Sequence, residues 1–391
     1  MILKNLVEDE VNEKFIINGT ELTYSINRFP FKINSFPREY SVDVVNNLEN
    51  YNKCLIDSDF IIIDKNIEII YPLPIAINAF IYRVDAKEKN KTLNTAVEII
   101  ERFIDNNISK GSKVIAIGGG IIQDLCACAC ALFRRGQPFT YFPTTTLGQL
   151  DSCVGAKCAV NTEKAKNILG LFSAPKNVII PTFMIKSMPK QDHLAGLSEM
   201  LRLCLTASEN AVACFLDLLP DIKNPEEIKI KSYERALKLS LSIKKSVVDF
   251  DEYEKDIRRS MNYGHTFGHA IEKLVNFKIP HGLGVLLGIH MANKYSLTQK
   301  SMSKDTFEKV SLAVKEIILN SSLNLQYLKE IKSEKVVEQF KYDKKGDGSS
   351  VPLILIEKPG KMFFYKHFFN SNSKELLLSI SSAIEDFIKW N

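Results

Sequence analysis

The sequence predicts an α/β chain in two parts: a parallel sheet with crossover helices over residues 1–185, then a mostly α-helical domain over residues 186–391. Three observations predict it. Short β-branched runs alternate with helical stretches in the first half, and long amphipathic stretches without strand signals fill the second. Prolines between Pro181 and Pro189 mark the change of composition, each discouraging helix on its N-terminal side.

In order, Phe60 to Asp64 reads as a strand, Leu93 to Ile104 as a helix with apolar residues at helical spacing, and Lys113 to Ile117 as a strand running into glycines. Phe139 to Phe142 and Asn177 to Ile180 supply two more strands. Beyond Lys186 the helical stretches are Asp192 to Ala207, Glu226 to Val248, Thr266 to Val275 and Gly284 to Thr298.

At 391 residues, 45% hydrophobic and 25% charged, the chain can bury a core in each of two domains. A net charge of +5 is small for this length and gives no argument for a nucleic-acid partner. The eight cysteines lie in Ala- and Leu-rich sequence without C-x-x-C spacing, which predicts buried reduced thiols. Met1 to Glu10 lacks the charged-then-apolar pattern of a signal peptide, and no apolar run reaches membrane-spanning length. A cytoplasmic protein without a membrane partner is the expectation.

Gly118-Gly-Gly120-Ile-Ile-Gln-Asp124 follows a strand and opens a helix, where backbone N–H groups and the helix dipole favour a pyrophosphate. Gln123 stands where the Rossmann pattern has glycine, so a tight turn without a ligand is the competing reading. Asp64, at another strand end, is placed either for a ribose hydroxyl or simply as a turn residue. His265 and His269 are four apart in a predicted helix and share a face; His281 follows Pro280 at the start of the next. Imidazoles suit Zn²⁺, and a catalytic site keeps one position open, so two histidines and a carboxylate suffice while the third does acid–base work. An incidental His pair is the alternative. Cations and amides punctuate apolar sequence at Arg135, Lys157, Lys166, Asn167, Arg202, Lys244, Arg258, Asn262, Lys344 and Lys345. Scattered lysines usually mean solvated surface; those among small residues, as in Val154-Gly-Ala-Lys157, suit a phosphate or carboxylate cradle.

Taken in order from Asp64 to Lys345, these segments resemble the dehydroquinate synthases, the founding group of the sugar phosphate cyclases. The resemblance rests on Lys87 to Lys91, the Gly118 to Asp124 turn, Arg135-Gly, Pro143-Thr-Thr-Thr146, Asp151 to Lys157, Asn161 and Lys166-Asn167. It continues through Ser198-Glu199-Met-Leu-Arg202, Lys244, Glu254, Arg258, Asn262, the three histidines and Asp343-Lys-Lys. It implies a dehydroquinate synthase-like fold with an N-terminal NAD-binding domain and a C-terminal metal and substrate domain. Glu199, His265 and His281 would bind Zn²⁺ or Co²⁺. NAD would lie along Asp64, Asn66, Glu88, Lys91, Gly119, Gly120, Asp124, Thr145, Thr146 and Lys166. The substrate, a seven-carbon phosphorylated sugar acid, would meet Asp151, Lys157, Asn167, Asn262, His269 and one of Lys344 or Lys345, with Lys244 and Arg258 on its carboxylate. Arg135 would reach in from the second subunit of a homodimer. The catalytic set would be Lys157, Arg202, Lys244, Glu254, Arg258, Asn262 and His269. The implied reaction oxidises a ring hydroxyl, eliminates phosphate, returns the hydride and closes a carbocycle by intramolecular aldol addition, with no net redox change.

Several positions depart from the family pattern: Lys87, Gln123 and Ala156 replace glycines, Arg202 a lysine and Leu283 a glutamate. Arg202 implies an altered substrate contact, because a planar guanidinium does not take the place of an ammonium. Leu283 implies the loss of a carboxylate supporting His281. The alternatives are a sugar phosphate cyclase of specialised metabolism with a different substrate, a metal-dependent polyol dehydrogenase, and an inactive homologue that serves as a scaffold.

Overall fold

A computed structural model of the protein describes residues 12–36, 38–343, 346–369 and 374–390. Its first elements are β1 (Asn12–Ile17), β2 (Thr20–Ser25), β3 (Phe31–Ile33), β4 (Tyr40–Val45), α1 (Leu48–Leu55), β5 (Phe60–Asp64), α2 (Lys65–Ile70) and β6 (Phe80–Val84). Then come α3 (Leu93–Asp105), β7 (Val114–Gly118), α4 (Gly120–Leu132), β8 (Phe139–Pro143), β9 (Lys157–Val160), β10 (Leu169–Phe172) and β11 (Asn177–Pro181). Helices follow: α5 (Lys190–Ala207), α6 (Glu209–Ile222), α7 (Ile230–Phe250), α8 (His265–Leu274), α9 (His281–Thr298), α10 (Lys304–Ser321) and α11 (Ser333–Gln339). A hairpin of β12 (Ser350–Lys358) and β13 (Lys361–Phe368) precedes α12 (Lys374–Trp390).

These elements form two compact units: Asn27–Met188 with Val248–Tyr253, and Met1–Ile26 with Pro189–Val247 and Glu254–Asn391. In the first, a seven-stranded sheet runs β3-β4-β11-β8-β7-β5-β6, parallel throughout except for β3. From β5 the chain goes outward to β6, then returns to place β7 on the other side of β5. The strand order therefore reverses between β5 and β7, the switch point outside whose carboxyl ends open α/β sheets bind ligands. Phe60 to Ile63 are all buried, as a parallel strand covered on both faces requires. Ile61, Ile63, Ile115 and Ile117 pack with Tyr51, Leu55, Phe142 and Met184, and Phe60 meets Phe103 edge-on at 4.7 Å.

The second unit is helical apart from a four-stranded sheet, β12-β13-β1-β2, in which β1 pairs parallel to β13. The helical reading of the second half missed β12 and β13, and the single division near residue 185 did not place β1 and β2 with them. Pro352 interrupts the apolar run of β12; it is tolerated because β12 is an edge strand. All eight thiols are free and all but Cys54 are buried. No described helix is long and apolar enough to cross a membrane.

Candidate active site

In the sheet unit β7 ends at Gly118, and Gly119 in extended conformation precedes α4, whose start no side chain caps. A Cβ on Gly119 would lie 2.7 Å from the Thr145 methyl, so packing requires glycine there, while one on Gly120 would meet nothing. The first turn of α4 thus presents open amide groups at the positive end of a helix. Asp64, at the end of neighbouring β5, caps α2 by accepting from the Asn66 amide at 3.0 Å. Burial raises its pKa, with that hydrogen bond opposing.

Around this turn the other candidates form one network. Lys91, buried, pairs with Asp124 and donates to Asn167 Oδ1 at 2.7 Å. Asp124 also accepts from the Ala159 amide at 3.2 Å; burial raises its pKa and the Lys91 charge opposes. Asn161 donates to Glu88 Oε1 at 2.7 Å and accepts from the Asn167 amide at 2.8 Å. Asn167, assigned from the resemblance to the substrate, is therefore joined to the residues assigned to NAD. Gln123 exchanges two 2.9 Å hydrogen bonds with Ser152, tying α4 to the π-helical turn Gly148–Ser152 that carries buried Asp151. Thr145 accepts from the Gly148 amide at 3.1 Å, and Thr146 is buried beside it in sequence. Lys157 opens β9 and is exposed, as are Lys166 and Arg135.

In the helical unit α8 carries His265 and His269, α9 begins at His281, and Glu199 lies in α5. Their ring and carboxylate atoms converge. Glu199 Oε1 is 3.8 Å from His265 Nε2 and 3.6 Å from His281 Nε2, and the three histidines have ligand atoms within 4.8 Å of one another. Tetrahedral Zn²⁺ with bonds of about 2.0–2.2 Å needs donor separations of roughly 3.3–3.5 Å, so small adjustments would seat an ion. Glycines allow this convergence. A Cβ on Gly282 would lie 1.9 Å from the Ala195 carbonyl of α5, and one on Gly288 2.0 Å from the Gly264 carbonyl that leads into α8. Backbone contact at these points fixes the three helices, and with them the three side chains.

One expectation, the loss of a carboxylate supporting His281, is corrected here, and the surroundings of Arg202 are defined. Leu283 is completely buried, and the carboxylate that supports His281 comes instead from Glu272 on α8, whose Oε1 is 3.0 Å from His281 Nδ1. Burial alone would lower the His281 pKa; the Glu272 hydrogen bond and the charges of Glu199 and Glu272 outweigh it and raise it. Arg202, expected at a substrate hydroxyl, has its Nε committed to Glu199 Oε2 at 2.6 Å, with Nη1 3.4 Å from Met261 Sδ. Glu272 lies seven residues after His265 and three after His269, on the same helix face, a spacing that marks it as a neighbour of those two histidines but not as the partner of His281.

Lys244 and Arg258 are both buried, on α7 and on the turn Ile257–Asn262. Asn262 donates to Glu254 Oε1 at 2.5 Å and to the Arg259 carbonyl at 3.1 Å. Thr266, next to His265, donates to Asp343 Oδ2 at 2.8 Å and so fastens the chain just before Lys344 and Lys345, which lie outside the described residues.

The family described as 3-dehydroquinate synthase N-terminal matches residues 81–195, and 3-dehydroquinate synthase C-terminal matches residues 196–346. A 3-dehydroquinate synthase of Pelagibacter ubique (strain HTCC1062) is 33% identical over 377 residues, covering 93% of this chain and 97% of that protein. Among solved structures, 2-deoxy-scyllo-inosose synthase complexed with carbaglucose-6-phosphate, NAD⁺ and Co²⁺ superposes with a TM-score of 0.77 at 22% identity, covering 91% of this chain and 99% of that one. The 2-epi-5-epi-valiolone synthase of Streptomyces hygroscopicus subsp. jinggangensis 5008, with NAD⁺ and Zn²⁺ bound, gives 0.73 at 20% identity, with coverage of 91% and 100%.

Proposed function

This chain belongs to the 3-dehydroquinate synthase family, and on that premise we propose that it converts a seven-carbon phosphorylated sugar acid into a carbocycle with loss of phosphate. The observation that carries the reading is the convergence of Glu199 Oε1 on the Nε2 atoms of His265 and His281. NAD and a divalent Zn²⁺ or Co²⁺, when bound, would supply reversible oxidation of one ring carbon and polarisation of its hydroxyl.

The chain's own residues hold and orient. Glu199, His265 and His281 would take the metal, and His269 is left for the proton that departs with phosphate. Two buried cations, Lys244 and Arg258, are the residues proposed for the substrate carboxylate, because a guanidinium and an ammonium both donate to a carboxylate. Asn262, held by Glu254, is a phosphate donor in this reading, and the same role is proposed for Lys157. The amides at Gly119 and Gly120 suit the dinucleotide pyrophosphate, while Asp64 offers an acceptor to a ribose hydroxyl. Exposed Arg135 is the residue proposed to act across a homodimer.

Incubation with the seven-carbon phosphorylated keto acid, NAD⁺ and Zn²⁺ or Co²⁺ should release inorganic phosphate without net accumulation of NADH. No phosphate release would overturn this substrate. Sustained accumulation of NADH would instead support the polyol dehydrogenase reading.

A further inference from the structure

We propose that Arg202 is a positioning residue that makes Glu199 a one-oxygen metal ligand and links it to the turn carrying Arg258 and Asn262. The proposal rests on the metal reading of the Glu199, His265 and His281 cluster. Glu199 and Arg202 are one turn apart on α5, and both side chains are almost solvent-free. A carboxylate so buried needs its charge compensated, and the Arg202 Nε–H donates to Oε2 at 2.6 Å, a charge-assisted contact. The other oxygen, Oε1, is the one 3.6 and 3.8 Å from the two histidine nitrogens. The two oxygens thus have separate tasks: Oε2 holds a proton donor and Oε1 faces the cluster.

Arginine suits this division better than lysine. Its Nε–H lies in the guanidinium plane at a fixed angle, whereas an ammonium is a rotating point charge that can straddle both oxygens. The same plane brings Nη1 to 3.4 Å from Met261 Sδ. Met261 stands inside the turn Ile257–Asn262, between the residues proposed for the carboxylate and the phosphate. A guanidinium locked between Glu199 and Met261 therefore ties the metal carboxylate to the substrate-binding turn.

The test is the visible spectrum of the Co²⁺-loaded full-length protein, with binding followed by competition against a chromogenic chelator. Wild type should give the intense bands of a four-coordinate site. In Arg202→Met, Glu199 is free to bind through both oxygens, and the bands should weaken several-fold; Arg202→Lys should shift them in the same direction. Spectra unchanged in both variants, with KM alone raised, would assign Arg202 to the substrate and overturn the proposal. If Arg202→Met does not fold, a crystal structure of the Co²⁺-loaded wild type decides: both Glu199 oxygens on the metal would overturn it, and Oε2 on Arg202 would support it. Wild type that binds no Co²⁺ would fail differently, removing the metal reading itself.

Discussion

Glu272 Oε1 lies 3.0 Å from His281 Nδ1, so the other ring nitrogen, Nε2, is the one 3.6 Å from Glu199. A carboxylate on the far nitrogen fixes tautomer and ring orientation and makes the ligating nitrogen more basic. Glu272→Ala should therefore lower metal affinity by roughly 10- to 100-fold, measured by chelator competition. Glu272→Gln, which keeps an acceptor oxygen without the charge, should fall between. Equal affinities in all three proteins would show that His281 is oriented by its helix alone.

Room for Glu272 is provided by a glycine. A Cβ at position 284 would sit 2.7 Å from Glu272 Oε1 and 2.8 Å from its Cγ. Gly284→Ala should push the carboxylate off His281 and reproduce the Glu272→Ala affinity loss at modest cost in stability. Gly288→Ala is a harsher case, because its Cβ would meet backbone, 2.0 Å from the Gly264 carbonyl and 2.5 Å from the Gly268 nitrogen. Overpacking of this kind costs about 1–3 kcal/mol or more, and denaturant titration should show the loss even without metal.

These glycines illustrate what could and could not be read beforehand. Strands such as β5 announce themselves because burial on both faces demands a continuous apolar run, Phe60 to Ile63. The switch-point turn was legible because Gly118 to Asp124 follows such a run. Spacing within one helix brought His265 and His269 together. The partnership of His281 with Glu272 was not legible, since it depends on how closely α8 and α9 approach, and that is set by residues without side chains. Leu283 misled for the same reason: two residues beyond His281 its side chain points into the core, and the carboxylate arrives from another helix. Arg202 was read as a substituted substrate contact, although Glu199 one turn earlier is the nearer demand on its charge. In β12, Pro352 masked a strand whose edge position makes the proline harmless.

Thr266 couples α8, the helix that carries His265, to Asp343 just after Tyr342. Its hydroxyl donates to Asp343 at 2.8 Å, from a buried position next to His265. Thr266→Val keeps the shape and removes the donor, which should cost about 1 kcal/mol of stability. If Lys344 or Lys345 serves the substrate phosphate as proposed, KM should rise several-fold while metal content stays at the wild-type level. A fall in metal content with unchanged KM would instead assign Thr266 to the support of His265.

His193, six residues before Glu199 on α5, gives the protein a pH dependence of its own. Its ring is completely buried, and Nε2 donates to the Ile222 carbonyl at 2.6 Å, at the C-terminal end of α6. Burial lowers its pKa from 6.5 to about 4, with that hydrogen bond opposing. The unfolded chain therefore takes up this proton more readily than the folded one. The stability contribution is complete above about pH 6.5 and is lost progressively as the pH falls toward 4, amounting to about 3 kcal/mol over the whole range. His193→Gln keeps an N–H donor and removes the titration. Between pH 7.5 and pH 5 the wild type should lose about 2 kcal/mol more than this variant in urea unfolding. Equal losses would mean that His193 is already solvated or protonated in the folded chain, and that the α5 to α6 contact is looser than its hydrogen bond indicates.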